Sequence, residues 1–190
     1  MYRFVNALGF QAGWWACVAS VGFDRQAEAL AFCAALVAAH LRHCASPAKE
    51  MQLAVLAMAV GIAVDSTLQY FSVIRFLGLS VADLSPLWLW MLWVLFATTL
   101  NSSLGFLQTF SWKVSAAMGL VFGPVSYIAG AKLGAADFDY STAHILALAV
   151  IWMVVLPALV RVARQMQFRT DQATSCDDEN GGLASIERRL

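Results

Sequence analysis

Six continuous apolar runs, each near the length of a helix that crosses a bilayer, dominate the sequence. A helix rises about 1.5 Å per residue and the hydrocarbon core is about 30 Å thick, so a span needs roughly 20 mostly apolar residues. The runs cover residues 4–21, 26–41, 51–71, 87–107, 114–133 and 142–162. They are rich in Ala and Leu, both good helix formers. They lack the alternation of apolar and polar residues that marks the strand of a membrane barrel. The expected fold is therefore all-α: a polytopic six-helix transmembrane bundle over residues 1–163, with a mobile polar tail over 164–190. The run 26–41 is the shortest and carries Glu28 near one end, but Ala27, Ala31, Ala35 and Ala39 repeat every four residues. If it only lay in the interface, five spans would remain and the two ends would face opposite sides.

Composition agrees with lipid as the solvent. Hydrophobic residues make up 61% of the chain and charged residues 13%, with a mean hydropathy of +0.69. These values exclude the soluble globular, disordered and collagen-like classes. Twelve basic residues against twelve acidic ones argue against nucleic acid as a partner.

Loop charge orients the bundle. With six spans and a cytoplasmic N-terminus, Arg3, Arg42, Lys49, Lys113, Arg161, Arg164, Arg169, Arg188 and Arg189 lie inside. Only Arg25, Arg75 and Lys132 lie outside. This is the bias of the positive-inside rule, and it places both termini in the cytoplasm. Trp14 and Trp15 within the first run read as a retained span rather than a cleaved signal. After residue 162 the chain turns polar, with Asp177, Asp178, Glu179, Gly181 and Gly182, which reads as a cytoplasmic tail.

Chemistry is sparse. Cys17 and Cys33 fall in spans, Cys44 and Cys176 on the cytoplasmic side, without the close pairing of a zinc site. A reducing cytosol argues against a disulfide between the latter two. His40, His43 and His144 are not expected to gather with the cysteines. No metal and no cofactor is expected, and no catalytic residue is assigned. Ser126 and His144 meet only if spans five and six bring them together, and Asp65 lacks a second acid at its depth.

Polar residues inside the spans are the best functional clue. Asp65 sits about 20 Å up the third span, where a carboxylate is costly unless paired or protonated. Gln69 lies one turn away. Lys132, His144 and Arg75 are candidate partners for a structural salt bridge; a proton-coupled site is the alternative. Thr98, Asn101 and Ser102 share one face of span four, which Gly105 extends. A polar track from Asn101 through Gln11 or Tyr127 to Asp65 is conceivable. The candidate polar pocket is thus Gln11, Asp65, Gln69, Asn101, Tyr127, Lys132 and His144.

Small residues mark the packing faces, because close backbone approach carries helix association in lipid. Ser115, Gly119, Gly123, Ser126, Gly130 and Gly134 form one stripe on span five, and Gly9 and Gly13 mark span one. These stripes pack the bundle or, alternatively, dock a membrane partner protein. Pro124 favours a bend in span five. Trp88, Trp112, Phe138 and Tyr140 suit an interfacial belt. Trp14, Trp15, Trp93 and Trp152 lie deeper and need partners for their indole N–H groups. They suit core packing, or a pocket for a flat or long-chain ligand.

Three segments carry a resemblance: Gly13-Trp14, the run PLWLWMLWVLFATTLNSSLGFL from Pro86, and GPVSYIAGAKLGA from Gly123. Over about residues 6–162 the chain resembles an uncharacterised family of small bacterial multi-pass inner-membrane proteins, catalogued as a domain of unknown function. The resemblance implies an inner-membrane location. It also implies a genomic association with enzymes that modify membrane fatty acids, and it brings no catalytic residues. In architecture the chain also resembles the substrate-binding membrane subunits of vitamin transporters, which dock a partner through small first-span residues; Ala12, Ala16 and Ser20 occupy that position here. Binding or transport of a small or lipidic molecule is the leading expectation. A lipid-modifying enzyme or its accessory, and a non-catalytic scaffold, are the alternatives.

Overall fold

The computed structural model describes the backbone of residues 2–187 and the side chains of residues 2–167. Six helices follow one another: α1 (Tyr2–Phe23), α2 (Gln26–Arg42), α3 (Pro47–Tyr70), α4 (Leu87–Leu100), α5 (Trp112–Lys132) and α6 (Thr142–Glu187). The expected tail at 164–190 falls, beyond residue 167, outside the described side chains. Among the described residues, three helices are long and apolar enough to cross a membrane: α3, α5 and α6 over 142–167. The 14-residue α4 is apolar but shorter than a span. The 17 residues of α2 are also few for one, and α1 dilutes its apolar length with Asn6 and Gln11.

The helices alternate in direction between two ends. At one end, β1 (Arg75–Phe76) pairs antiparallel with β2 (Ala136–Asp137), Arg75 opposite Asp137 and Phe76 opposite Ala136. This two-stranded ribbon ties the α3–α4 loop to the α5–α6 loop. The Gln26 side chain joins the α1–α2 turn to the same end by accepting the Leu79 N–H at 2.8 Å. At the opposite end, the base, lie the start of α1, the α2–α3 turn and the end of α4. The continuous apolar runs contain no ribbon signal. Its four residues lie in loops, and the pairing satisfies backbone groups that two adjacent loops would otherwise leave open.

The fourth run was expected to stay helical to residue 107. Instead α4 stops at Leu100, and a 3-10 turn (Gly105–Gln108) follows. The cause is local. Thr98 and Thr99 turn their hydroxyls back onto the carbonyls of Leu95 and Phe96 at 2.7 and 2.6 Å. Short polar side chains compete in this way with the helix ladder. The Leu104 N–H then returns to the Thr99 carbonyl at 2.8 Å, which closes the helix end. Gly105 therefore does not extend the polar face of α4. By contrast α5 remains one helix through Pro124.

Packing groups the helices as four and two. α1 to α4 lie against one another, and α5 pairs with α6. Gly119 and Gly123 let α5 approach Trp152 of α6: a Cβ at Gly119 would fall 2.8 Å from the Trp152 carbonyl carbon. Gly13 similarly admits Leu95 and Cys33, and Gly61 admits the Trp93 ring. Gly9 lies more loosely, 3.8 Å from Leu36, and Gly130 has open space instead of a neighbour. The outward faces are apolar: Leu146, Val150 and Val154 of α6 and Val121, Phe122 and Val125 of α5 are each more than half exposed. A contiguous apolar exterior of this extent belongs in hydrocarbon.

Candidate functional site

Asp65 is wholly buried. Its carboxylate accepts the Trp93 indole N–H at 2.8 Å and the Tyr127 hydroxyl at 2.5 Å, from α4 and α5. Gly61 makes the first bond possible, because the Trp93 ring lies where its Cβ would be. Trp152 stacks on Trp93, with centroids 5.1 Å apart and planes 9° apart, and sits 6.3 Å from Tyr127. Its own indole nitrogen is buried without a hydrogen bond. A carboxylate held by neutral donors inside an aromatic cage orients three helices without a counter-charge.

The candidate bases expected near Asp65 are engaged elsewhere or stand apart. His144 Nδ1 lies 2.8 Å from Asp139 Oδ1, and Arg75 lies 4.0 Å from Asp137. Lys132 is exposed. Gln69 accepts the Phe76 N–H at 3.3 Å and so anchors the ribbon to α3. Asp139 also accepts the Ser141 N–H at 3.1 Å; that bond and the His144 ring hold its carboxyl below the usual range.

Beside the Asp65 cage lies a small aromatic chamber of about 80 Å³, walled by Trp14, Trp88, Trp93, Phe96, Tyr127 and Trp152. Gly130 opens onto it. The chamber adjoins a larger cleft of about 770 Å³ that runs between α1 and α5. Both share Phe10, Trp14, Phe96, Ser126 and Trp152. The cleft exists because α1 packs on α2 and α4 while α5 packs on α6. Trp14 donates its indole N–H to Ser126 across it at 3.3 Å. Gln11, exposed, lies on the cleft wall, and Lys132 lies at its ribbon end.

A second polar centre occupies the base. Asn6 of α1 reaches Thr98 Oγ1 at 3.3 Å and accepts the Ser103 hydroxyl at 2.7 Å. Asn101 does not lead toward Asp65: its amide donates to Glu50 Oε1 at 2.9 Å and accepts from Gln108 at 2.9 Å. His40 Nδ1 lies 2.8 Å from the Tyr2 hydroxyl. His40 Nε2 faces Glu50 Oε2 at 3.5 Å, and both atoms are buried without a hydrogen bond. Cys44 lies beside them; burial, and then the Glu50 carboxylate, push its thiol above the usual range.

Two expectations are corrected here. His40 does gather with a cysteine, because the α2–α3 turn folds Cys44 back over His40 and brings Glu50 alongside. Asn101 and Asp65 belong to separate centres instead of one track. The residues missed by sequence reasoning are Tyr2, Asn6, Glu50 and Gln108 at the base. A His and a Cys four apart at a span end, with a Glu six residues on, was the available signal. The Cys17 and Cys33 thiols also meet, 3.5 Å apart between α1 and α2.

No curated protein and no solved structure shows significant similarity to the chain. One family model matches residues 3–158, from α1 through about the first third of α6. On that match the chain belongs to the family described as "Protein of unknown function (DUF2878)".

Proposed function

We propose that the protein is a six-span protein of a bacterial inner membrane that binds a long-chain lipidic molecule in the α1/α5 cleft. The observation that carries this reading is the cleft itself. Its volume of about 770 Å³ lies within the range of about 300–1,000 Å³ found for small-molecule sites. It runs from Met118 to Leu133 along α5, about 22 Å at 1.5 Å per residue, the length of an extended long acyl chain. Its wall is almost wholly apolar, and the exposed cation Lys132 stands at one end to meet an anionic headgroup.

Charge supports both termini in the cytoplasm. Arg3, Arg42, Lys49, Lys113, Arg161 and Arg164 belong to the base, against Arg25, Arg75 and Lys132 at the ribbon end. In this orientation the headgroup end of the cleft faces outward. The Asp65 cage is then the scaffold behind the cleft: it holds Trp93 and Tyr127, and these back Trp152, which lines the wall.

The test uses a photoreactive diazirine palmitate in vesicles containing the full chain. Ala129→Trp fills the cleft, and Val150→Trp enlarges a lipid-facing residue outside it. Labelling of α1 and α5 peptides is expected in the wild type and V150W, and about tenfold less in A129W. Equal labelling in all three, or label spread evenly over the outer faces, overturns the reading.

A further inference from the structure

We propose that His40 Nε2, Cys44 Sγ and Glu50 Oε2 form a binding site for a borderline divalent metal ion of the Zn²⁺ class. Among the described residues these three side chains bring an imidazole nitrogen, the Cys44 sulfur and a carboxylate oxygen within 4.8 Å of one another. Zn²⁺ takes imidazole nitrogen and carboxylate oxygen at about 2.0–2.2 Å and thiolate sulfur at about 2.3 Å. Tetrahedral ligation at those lengths sets neighbouring nitrogen and oxygen ligands about 3.4 Å apart. His40 Nε2 and Glu50 Oε2 already stand at 3.5 Å.

The independent sign of a ligand is a pair of buried atoms that face each other at 3.5 Å yet make no hydrogen bond. The His40 side chain is 5% exposed, and its Nε2 makes no hydrogen bond; Glu50 Oε2 is likewise buried and unbonded. Buried polar atoms are rarely left in this state. The surrounding bonds explain why a cation suits them. His40 Nδ1 lies 2.8 Å from the Tyr2 hydroxyl, which also reaches the His40 carbonyl at 3.5 Å, and 3.4 Å from the Asn6 amide nitrogen. A metal at Nε2 selects the tautomer with its proton on Nδ1, where the Tyr2 hydroxyl oxygen accepts it and the Nε2 lone pair is turned toward the carboxylate oxygen. The other carboxylate oxygen is held by Asn101, itself held by Gln108. A metal-bound imidazole usually donates its second nitrogen, and a ligating carboxylate is usually hydrogen-bonded; both supports are in place. On binding, the Cys44 thiol loses its proton to solvent and the sulfur turns from the His40 carbonyl, 3.3 Å away, to the ion. The ordinary competing arrangement is a protonated His40 paired with Glu50, which needs neither Cys44 nor a metal.

The test uses the full chain in detergent, carrying no histidine tag, stripped with chelator and titrated with Co²⁺ and then Zn²⁺. Binding of one Co²⁺ with a thiolate-to-cobalt absorption band, displaced by Zn²⁺, is expected. Cys44→Ser removes the band, and Glu50→Gln weakens binding at least tenfold, while Cys176→Ser changes neither. Asn101→Ala, which alters no ligand, weakens binding about 10- to 100-fold. Should a ligand variant fold poorly, protection of Cys44 from alkylation by Zn²⁺ in the wild type gives the same answer. The proposal is overturned by a folded wild type that shows no thiolate band. A band that survives in C44S, or Zn²⁺ that leaves Cys44 fully reactive, overturns it as well.

Discussion

Gly119 and Gly130 lie on one stripe of α5, and the structure predicts opposite outcomes when each becomes alanine. At Gly119 a new Cβ would stand 2.8 Å from the Trp152 carbonyl carbon, with the carbonyl oxygen nearer still. Ordinary contact begins at 3.4 Å, so α5 and α6 must part by at least about 0.6 Å. The obstacle is backbone, and no rotamer change relieves it. A radial gap of about 0.5–1 Å forfeits a quarter to a half of each dispersion contact along the seam. Overpacking of this kind costs about 1–3 kcal/mol, and a backbone obstacle puts G119A near 3 kcal/mol. At Gly130 nothing lies within 4 Å, so G130A adds a methyl to the chamber wall without displacement. It also removes a glycine from a helix interior, a gain of up to about 1 kcal/mol. Reversible SDS titration in mixed micelles, read by tryptophan fluorescence, measures both. Equal destabilisation by the two variants would refute the assignment of Gly119 to the α5–α6 seam and Gly130 to open space.

Three other outcomes are expected. Asp65→Ala leaves the Trp93 N–H and Tyr127 O–H without their acceptor, at about 1–3 kcal/mol for each buried donor, whereas Asp65→Asn retains one acceptor oxygen and costs less; chemical unfolding of the two variants checks the order. Asn6→Ala cuts the bonds from α1 to Thr98 and Ser103 and lowers stability by about 2 kcal/mol in the same titration, while an unchanged midpoint would remove Asn6 from the α1–α4 contact. Asp139 titrates below its ordinary value of 3.8, so its bonds to Ser141 and His144 stabilise the start of α6 at neutral pH and are lost as pH falls through the lowered folded value. Carboxyl carbon NMR in micelles should place its midpoint under 3.8, and a midpoint at or above that value contradicts the geometry.

The helices were legible because lipid rewards a simple property, apolar length, which a sequence displays directly. The end of α4 was not, since hydropathy does not register hydroxyls that compete for carbonyls, as Thr98 and Thr99 do. Asp65 was visible as an expensive group, but its partners were sought among cations. Arg75 and His144 instead meet Asp137 and Asp139 of the α5–α6 loop, and neutral donors from Trp93 and Tyr127 serve the carboxylate. The deep tryptophans signalled a need for acceptors, and Trp93 and Trp14 found them in Asp65 and Ser126. The base centre was hidden for a different reason. Tyr2 and His40 lie 38 residues apart, and Glu50 and Asn101 lie 51 apart, so only tertiary folding brings them together.

The two donors to Asp65 reach it at different moments of synthesis. Trp93 arrives with the very next helix, but Tyr127 is translated 62 residues after the acid it serves. Until α5 docks, α1 to α4 hold the Asp65 carboxylate with only one of its two donors. Docking of α5 against the first four helices is thereby rewarded chemically as well as sterically, and a chain truncated before Tyr127 would leave that acid half-served.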